Sequence, residues 1–304
     1  MTQIPNKIIV VLGPTATGKT RLGVRIASKF SGEIISADSR QVYKGMDIGT
    51  GKDLAEFSIS KNIKVPYHLI DVVSPKTEFN AAKWLVMAKK AIADIHKRGK
   101  VPIIVGGTGL YISALVEGFN LAGAKPDKAL RKKLEATPLA RLLTRLKKLD
   151  PETYKKIDKK NKRRVVRAVE ICLIGKEKAS KLRRVERPDF DFLILGIKKE
   201  REEINKLIDR RADKWMKQGI INEVKRLRKQ GISWKRLDSF GLEYRWVSKF
   251  LQGEVGQDEM LGKMKTSIHQ FAKRQMVWFR KMRNVKWVKN YQEASKTVAG
   301  FLKS

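Results

Sequence analysis

The chain has 304 residues, enough for one large or two modest domains, and 42% of them are hydrophobic, so a core can be buried. Its one cysteine, Cys172, excludes a disulfide framework, a cysteine-rich zinc finger and a C-x-x-C redox centre; between Ile171 and Leu173 it reads as a small buried apolar residue. Lys and Arg number 67 against 31 Asp and Glu, a net charge of +36 that goes beyond solubility and asks for a polyanionic partner.

In chain order, the apolar run Lys7 to Leu12 predicts a strand that enters Gly13-Pro-Thr-Ala-Thr-Gly18-Lys19-Thr20, the phosphate-loop pattern G-x-x-x-x-G-K-[ST]. In such a loop the backbone of Gly13, Pro14, Thr15, Ala16, Thr17 and Gly18 wraps phosphate oxygens, every residue but Pro14 turning an N–H inward. Lys19 adds a point charge, and the Thr20 hydroxyl suits a Mg²⁺ ion. Leu22, Val24, Ile26 and Ala27 predict a helix over residues 19 to 30. A second strand, Glu33 to Ala37, ends in Asp38, which has three readings: metal ligand, general base or helix N-cap. A helix is expected over residues 80 to 98. The strand Val101 to Val105 then runs into Gly106-Gly107-Thr108-Gly109, without the carboxylate with which an ordinary NTPase holds its metal. Residues 126 to 186 read as consecutive basic helices broken at Pro126, Pro138, Pro151 and Pro188; Phe192 to Ile197 resumes strand character. From Glu200 the spacing of Ile204, Leu207, Ile208, Ala212, Trp215 and Ile220 is helical.

The predicted fold is α/β: a P-loop parallel sheet core with an inserted helical domain and C-terminal helices. Residues 1–124 form the first part of the core, 125–188 the insert, and 189–304 the completion of the core with the C-terminal helices. The excess charge is uneven, with +8 on residues 1 to 120 and +15 on residues 125 to 188, so the polyanion is expected along the insert. No apolar run approaches the ~18 residues of a membrane span, and a soluble, cytoplasmic monomer is expected. His68 and His269 lack metal-ligand companions, so no zinc is assigned.

Several long segments carry a resemblance. Besides the phosphate loop they are Ser36-Ala-Asp-Ser-Arg-Gln-Val-Tyr-Lys-Gly-Met-Asp-Ile-Gly-Thr50, Pro66-Tyr-His-Leu-Ile-Asp71, Val105-Gly-Gly-Thr-Gly-Leu-Tyr111, Arg163-Arg-Val-Val-Arg-Ala-Val-Glu170 and Ala272-Lys-Arg-Gln-Met-Val-Trp-Phe-Arg280. Together, over nearly the full length, the chain resembles the bacterial tRNA dimethylallyltransferases, also called tRNA isopentenyltransferases. That resemblance implies transfer of a dimethylallyl group from dimethylallyl diphosphate to N6 of the adenosine just 3′ of the anticodon, with Mg²⁺ as cofactor and the tRNA anticodon stem-loop as partner. It implies that Arg211 contacts the diphosphate beside Lys19 and Thr20, that Asp38 takes the proton of the amine, and that Thr108 lies near the reacting base. Contacts to tRNA are implied for Asp38, Ser39, Arg40, Gln41, Thr108, Arg163, Arg164, Arg167 and the segment Phe240 to Arg245, with Tyr244 and Arg245 foremost. The adenosine is expected to leave its stack for a channel between core and insert. Trp278 and Phe279 are expected to pack rather than stack on bases.

Two departures stand out. The chain reads Glu243-Tyr244-Arg245 where the family usually has glycine before the tyrosine, and Leu207 replaces a common arginine. Two other functions share parts of the pattern. An adenylate isopentenyltransferase would use the same core on free AMP, against which the basic insert argues. An ATP-dependent RNA-binding or nucleotide-kinase-like protein would put ATP on the phosphate loop, against which the missing carboxylate argues.

Overall fold

The computed structural model describes residues 6–60, 63–118, 127–174 and 189–304. They divide into two compact units, residues 1–112 with 189–304 and residues 113–188. The first unit is built on a six-stranded, all-parallel sheet of β1 (Lys7–Leu12), β2 (Gly32–Ser36), β5 (Tyr67–His68), β6 (Val101–Gly106), β7 (Asp191–Ile197) and β8 (Val285–Val288), in the order β5-β2-β6-β1-β7-β8. A separate two-stranded antiparallel ribbon pairs β3 (Ser58–Ser60) with β4 (Ile63–Lys64). β1 is central: Ile9 lies opposite Ile103 on one side and Leu193 on the other. Its residues Ile8 to Leu12 are fully buried, which is why the strand reads as an unbroken apolar run instead of an alternating one.

One sheet face carries Ile9, Val11, Ile34, Ile103 and Leu195. It is covered by α1 (Lys19–Lys29) through Val24 and Ile26, and by the last helix through Ala294 and Val298. A second core gathers five of the C-terminal helices. We label the helices in chain order α2 (Ala81–Lys97), α3 (Gly109–Val116), α4 (Lys128–Ala136), α5 (Leu139–Leu149), α6 (Pro151–Lys156), α7 (Lys162–Ile174), α8 (Arg201–Gln218), α9 (Ile220–Lys229), α10 (Trp234–Phe240), α11 (Leu242–Leu251), α12 (Gln257–Phe279) and α13 (Tyr291–Lys303). Ile208, Ala212 and Trp215 of α8 meet Tyr244 and Val247 of α11 and Met264, Ile268 and Ala272 of α12. Leu207, expected among these apolar positions, is only partly buried. Phe279 is fully buried and Trp278 packs on Gly109, so the pair serves packing.

The second unit consists of α4 to α7 around Leu134, Leu142, Leu146, Val165, Val166 and Val169. Its helix starts are written in sequence. Asp127 Oδ1 accepts the N–H groups of Ala129 and Leu130 at 2.8 and 3.0 Å. Asp150 caps α6 through the Thr153 N–H at 3.0 Å, with Pro151 in the first turn. The breakers Pro126 and Pro188, and the part of the insert from residue 175 to 188, lie outside the described residues. Cys172 is half-buried rather than buried.

Candidate active site

The carboxyl ends of β1, β2 and β6 converge on one edge of the sheet, the edge at which open α/β sheets bind ligands. β1 ends in the phosphate loop. Gly18 takes φ 78°, a left-handed turn that starts α1 and that a side chain would strain, and Ala16 shares it at φ 66°. Thr17 Oγ1 donates to the Pro14 carbonyl at 2.8 Å, closing the loop on itself. β6 ends in Gly106, where a Cβ would come within 2.2 Å of the Ala37 carbonyl oxygen; the two strand ends touch, and no larger residue fits.

Beyond β2, Asp38 Oδ1 accepts the backbone N–H of Arg40 at 2.9 Å and, weakly, that of Gln41 at 3.4 Å. The Ser39 N–H donates to Thr108 Oγ1 at 2.9 Å, and the Thr108 N–H to the Ala37 carbonyl at 3.1 Å. Asp38 is thus fixed by a turn stitched to the end of β6. One carboxylate oxygen, Oδ1, holds the turn.

Thr15, Lys19, Thr20, Asp38, Arg40, Gln41 and Arg211 line one small cavity of about 50 Å³, walled also by Gly49 to Gly51, Trp215, Phe271 and Gln275. A wider cleft of about 390 Å³ shares Lys19, Thr20, Gly51, Arg211 and Trp215 with it and is bordered by the apolar Leu207. The two cations in common are poorly paired. Lys19 Nζ reaches only the Pro14 carbonyl, at 3.4 Å, and burial pulls its pKa down to about 8. Arg211 donates to Thr15 Oγ1 and stacks its guanidinium 4.7 Å from the Trp215 ring, but its Nε is buried without a partner; burial brings its pKa down to about 10. Two half-buried cations whose hydrogen bonds go only to neutral oxygens are a site for an anion. Arg40, by contrast, is paired with the carboxylate of Glu243.

Among the described residues no three His, Cys, Asp or Glu side chains cluster to hold a metal. The donor chemistry fits a hard cation that arrives with a phosphate ligand, the Thr20 hydroxyl being the protein's oxygen for it.

Some expected residues lie elsewhere. Tyr244 is fully buried and its hydroxyl donates to Glu223 Oε1 at 2.8 Å, so it supports the fold and offers no exposed surface to a tRNA. Arg245 is exposed and paired with Asp238 at 2.9 Å. In the second unit Arg163 and Arg164 are exposed, whereas Arg167 is bound at 2.8 Å to the buried Glu170, which also holds Arg131 at 2.7 Å.

The sequence reading missed Gln275. Its Oε1 accepts the Thr15 N–H at 2.9 Å and its Nε2 donates to the Gly107 carbonyl at 2.8 Å, tying the phosphate loop to the end of β6. It also missed Glu223, which accepts the N–H groups of Asp47, Ile48 and Gly49 at 2.8 to 3.2 Å and so shapes the wall at Gly49 to Gly51. The contacted loops lie in segments that carry the resemblance, as does Gln275 itself, within Ala272 to Arg280; that residues 168 to 260 positions apart meet there was not legible.

The IPP transferase family model matches residues 41–282. The chain belongs to this family. An isopentenyl transferase model also matches residues 6–65. Among relatives of this IPP transferase are tRNA dimethylallyltransferase 1 of Syntrophus aciditrophicus, 41% identical over 98% of this chain and 99% of the relative, and tRNA dimethylallyltransferase 2 of Citrifermentans bemidjiense, 41% identical over 94% and 91%. The full-length tRNA isopentenylpyrophosphate transferase of Bacillus halodurans superposes with a TM-score of 0.73 at 34% identity, covering 98% of this chain and 97% of that one. A eukaryotic dimethylallyltransferase acting on tRNA gives a TM-score of 0.80 at 27% identity, over 98% and 80%.

Proposed function

We propose that this enzyme transfers the dimethylallyl group of dimethylallyl diphosphate to N6 of the adenosine immediately 3′ of the anticodon in tRNA, releasing diphosphate. The observation that carries the reading is the unequal pairing in the cleft: the hydrogen bonds of Lys19 and Arg211 go only to neutral oxygens, while the Asp38 carboxylate is held on the same small cavity. In this reaction the allylic C–O bond breaks, its electron pair leaves with the diphosphate, and the N6 lone pair forms the new C–N bond. The leaving group gains charge as the bond breaks, so cations and loop N–H groups aimed at it stabilise the transition state more than the ground state. Lys19, Arg211 and the backbone of residues 13–20 supply them. The amine must lose a proton as it becomes a secondary amine, and Asp38 Oδ2 accepts it. The Thr20 hydroxyl would hold Mg²⁺, which when bound would supply further neutralisation of the diphosphate. Leu207 and Trp215 offer apolar surface to the dimethylallyl group.

Ser39, Arg40, Gln41 and Thr108 surround Asp38 and are the residues nearest an incoming adenosine; Arg163 and Arg164 are assigned to the phosphate backbone of tRNA. No described helix is long and apolar enough to cross a membrane.

The test is incubation with labelled dimethylallyl diphosphate, Mg²⁺ and unmodified tRNA, followed by mapping of the label. Label on the single adenosine 3′ of the anticodon is expected. Asp38→Asn, which keeps an oxygen for the Arg40 N–H but cannot take a proton, should lower kcat by about 10²–10⁴-fold with donor binding retained. Transfer to AMP alone, or to no acceptor, defeats the proposal.

A further inference from the structure

Arg40 reaches the same cavity as Lys19 and Arg211, yet it differs from them in being already neutralised. Glu243, in the first turn of α11, is fully buried and binds the Arg40 guanidinium through Oε1, while its Oε2 is buried with no hydrogen-bond partner. A carboxylate this far from water with half its acceptor capacity unused is costly to keep, and Arg40 is the one cation it bonds among the described contacts. The backbone of Arg40 is held from the other side by Asp38 Oδ1 at 2.9 Å, and its guanidinium lies 5.6 Å from the Phe271 ring. Its position is therefore set at both ends, away from free choice of an anion.

We propose that Glu243 is a positioning residue that withholds the Arg40 charge from the diphosphate, so that two cations and not three grip the leaving group and the product diphosphate can depart. This rests on the reading of the cleft as a diphosphate site. Without Glu243 the freed guanidinium turns to the nearest anion, and diphosphate becomes a tighter product.

Calorimetric titration with inorganic diphosphate and Mg²⁺ tests the assignment, with label transfer to tRNA measured in parallel. Glu243→Gln keeps the shape and an acceptor for Arg40 but removes the charge. It should bind diphosphate about tenfold more tightly, the worth of one charge-assisted hydrogen bond, and turn over more slowly. Mere loss of packing would weaken binding instead, so the sign separates the two roles. Glu243→Asp should restore the wild-type affinity. Should Glu243→Gln not fold, the double variant Arg40→Gln/Glu243→Gln removes a pair that is neutral toward the ligand and should bind diphosphate as the wild type does; weaker binding there would mean that Arg40 grips diphosphate directly and overturns the assignment. Unchanged or weakened binding in a folded Glu243→Gln also overturns it. If the wild type binds no diphosphate, the cleft reading falls and this inference with it.

Discussion

Lys19 shows how a single side chain can set the pH behaviour of the site. Its charge is needed to hold the diphosphate, and burial has brought its pKa from 10.5 to about 8. As the pH rises through 8 the free enzyme loses that proton, and with it a partner for the anion. kcat/KM for the donor is therefore expected to be flat just below pH 8 and to fall about tenfold per pH unit above it, because this parameter reports the ionisation of the free enzyme. Bound diphosphate restores the missing counter-charge, so kcat should fall at a higher pH than kcat/KM; steady-state profiles at fixed ionic strength check both. Stability moves the other way: between about pH 8 and 10.5 the unfolded chain binds the extra proton, so neutralising Lys19 relieves the cost of burying it. At this scale the phosphate loop was readable because its function is local, eight consecutive residues whose backbone does the binding. The role of Asp38 was half readable. Its carboxylate closes a turn at Arg40 and Gln41 and caps no helix, and that bond orients it toward the cavity.

At the scale of elements, the strands β1, β2, β6 and β7 were legible because buried parallel strands leave continuous apolar runs. β5 and β8 were not. Tyr67–His68 is two residues long, and Val285–Val288 alternates its burial at the sheet's edge, so neither leaves such a run. Tyr244 illustrates a different failure. The resemblance puts it on tRNA, but α11 turns it inward under the loop at Gly49, where a Cβ would meet its ring at 2.7 Å. Its hydroxyl joins Glu223 in pinning residues 47 to 49. Tyr244→Phe should therefore cost about 1.5–3 kcal/mol of stability, the range for a hydrogen bond to a charged group, and leave tRNA affinity unchanged. Thermal unfolding and a tRNA filter-binding titration distinguish this from an RNA contact, for which affinity would fall and stability would not.

For the whole molecule, the net charge of +36 makes association with tRNA salt-dependent. Arg163→Gln with Arg164→Gln should weaken tRNA binding at low salt and flatten the slope of log K against log salt by about 1.4, two phosphate contacts' worth for a single-stranded loop, while the donor KM is untouched. An unchanged slope would remove these two side chains from the tRNA footprint. Arg167 should contribute less than either, since its charge is already shared with Glu170. The order of strands has another consequence, for how the protein is made. β1 leaves the ribosome first, but its neighbours β6 and β7 follow only after Gly106 and Ile197, and Lys7 Nζ finds its acceptor, the Phe301 carbonyl, in the last helix. During synthesis the most apolar strand must wait with both edges bare until β6 is made, and Lys7 finds its acceptor only once α13 has emerged. A newborn chain arrested before Ile197 should therefore be a client for chaperones, and a gene lesion that trims the last turn should be felt at the first strand.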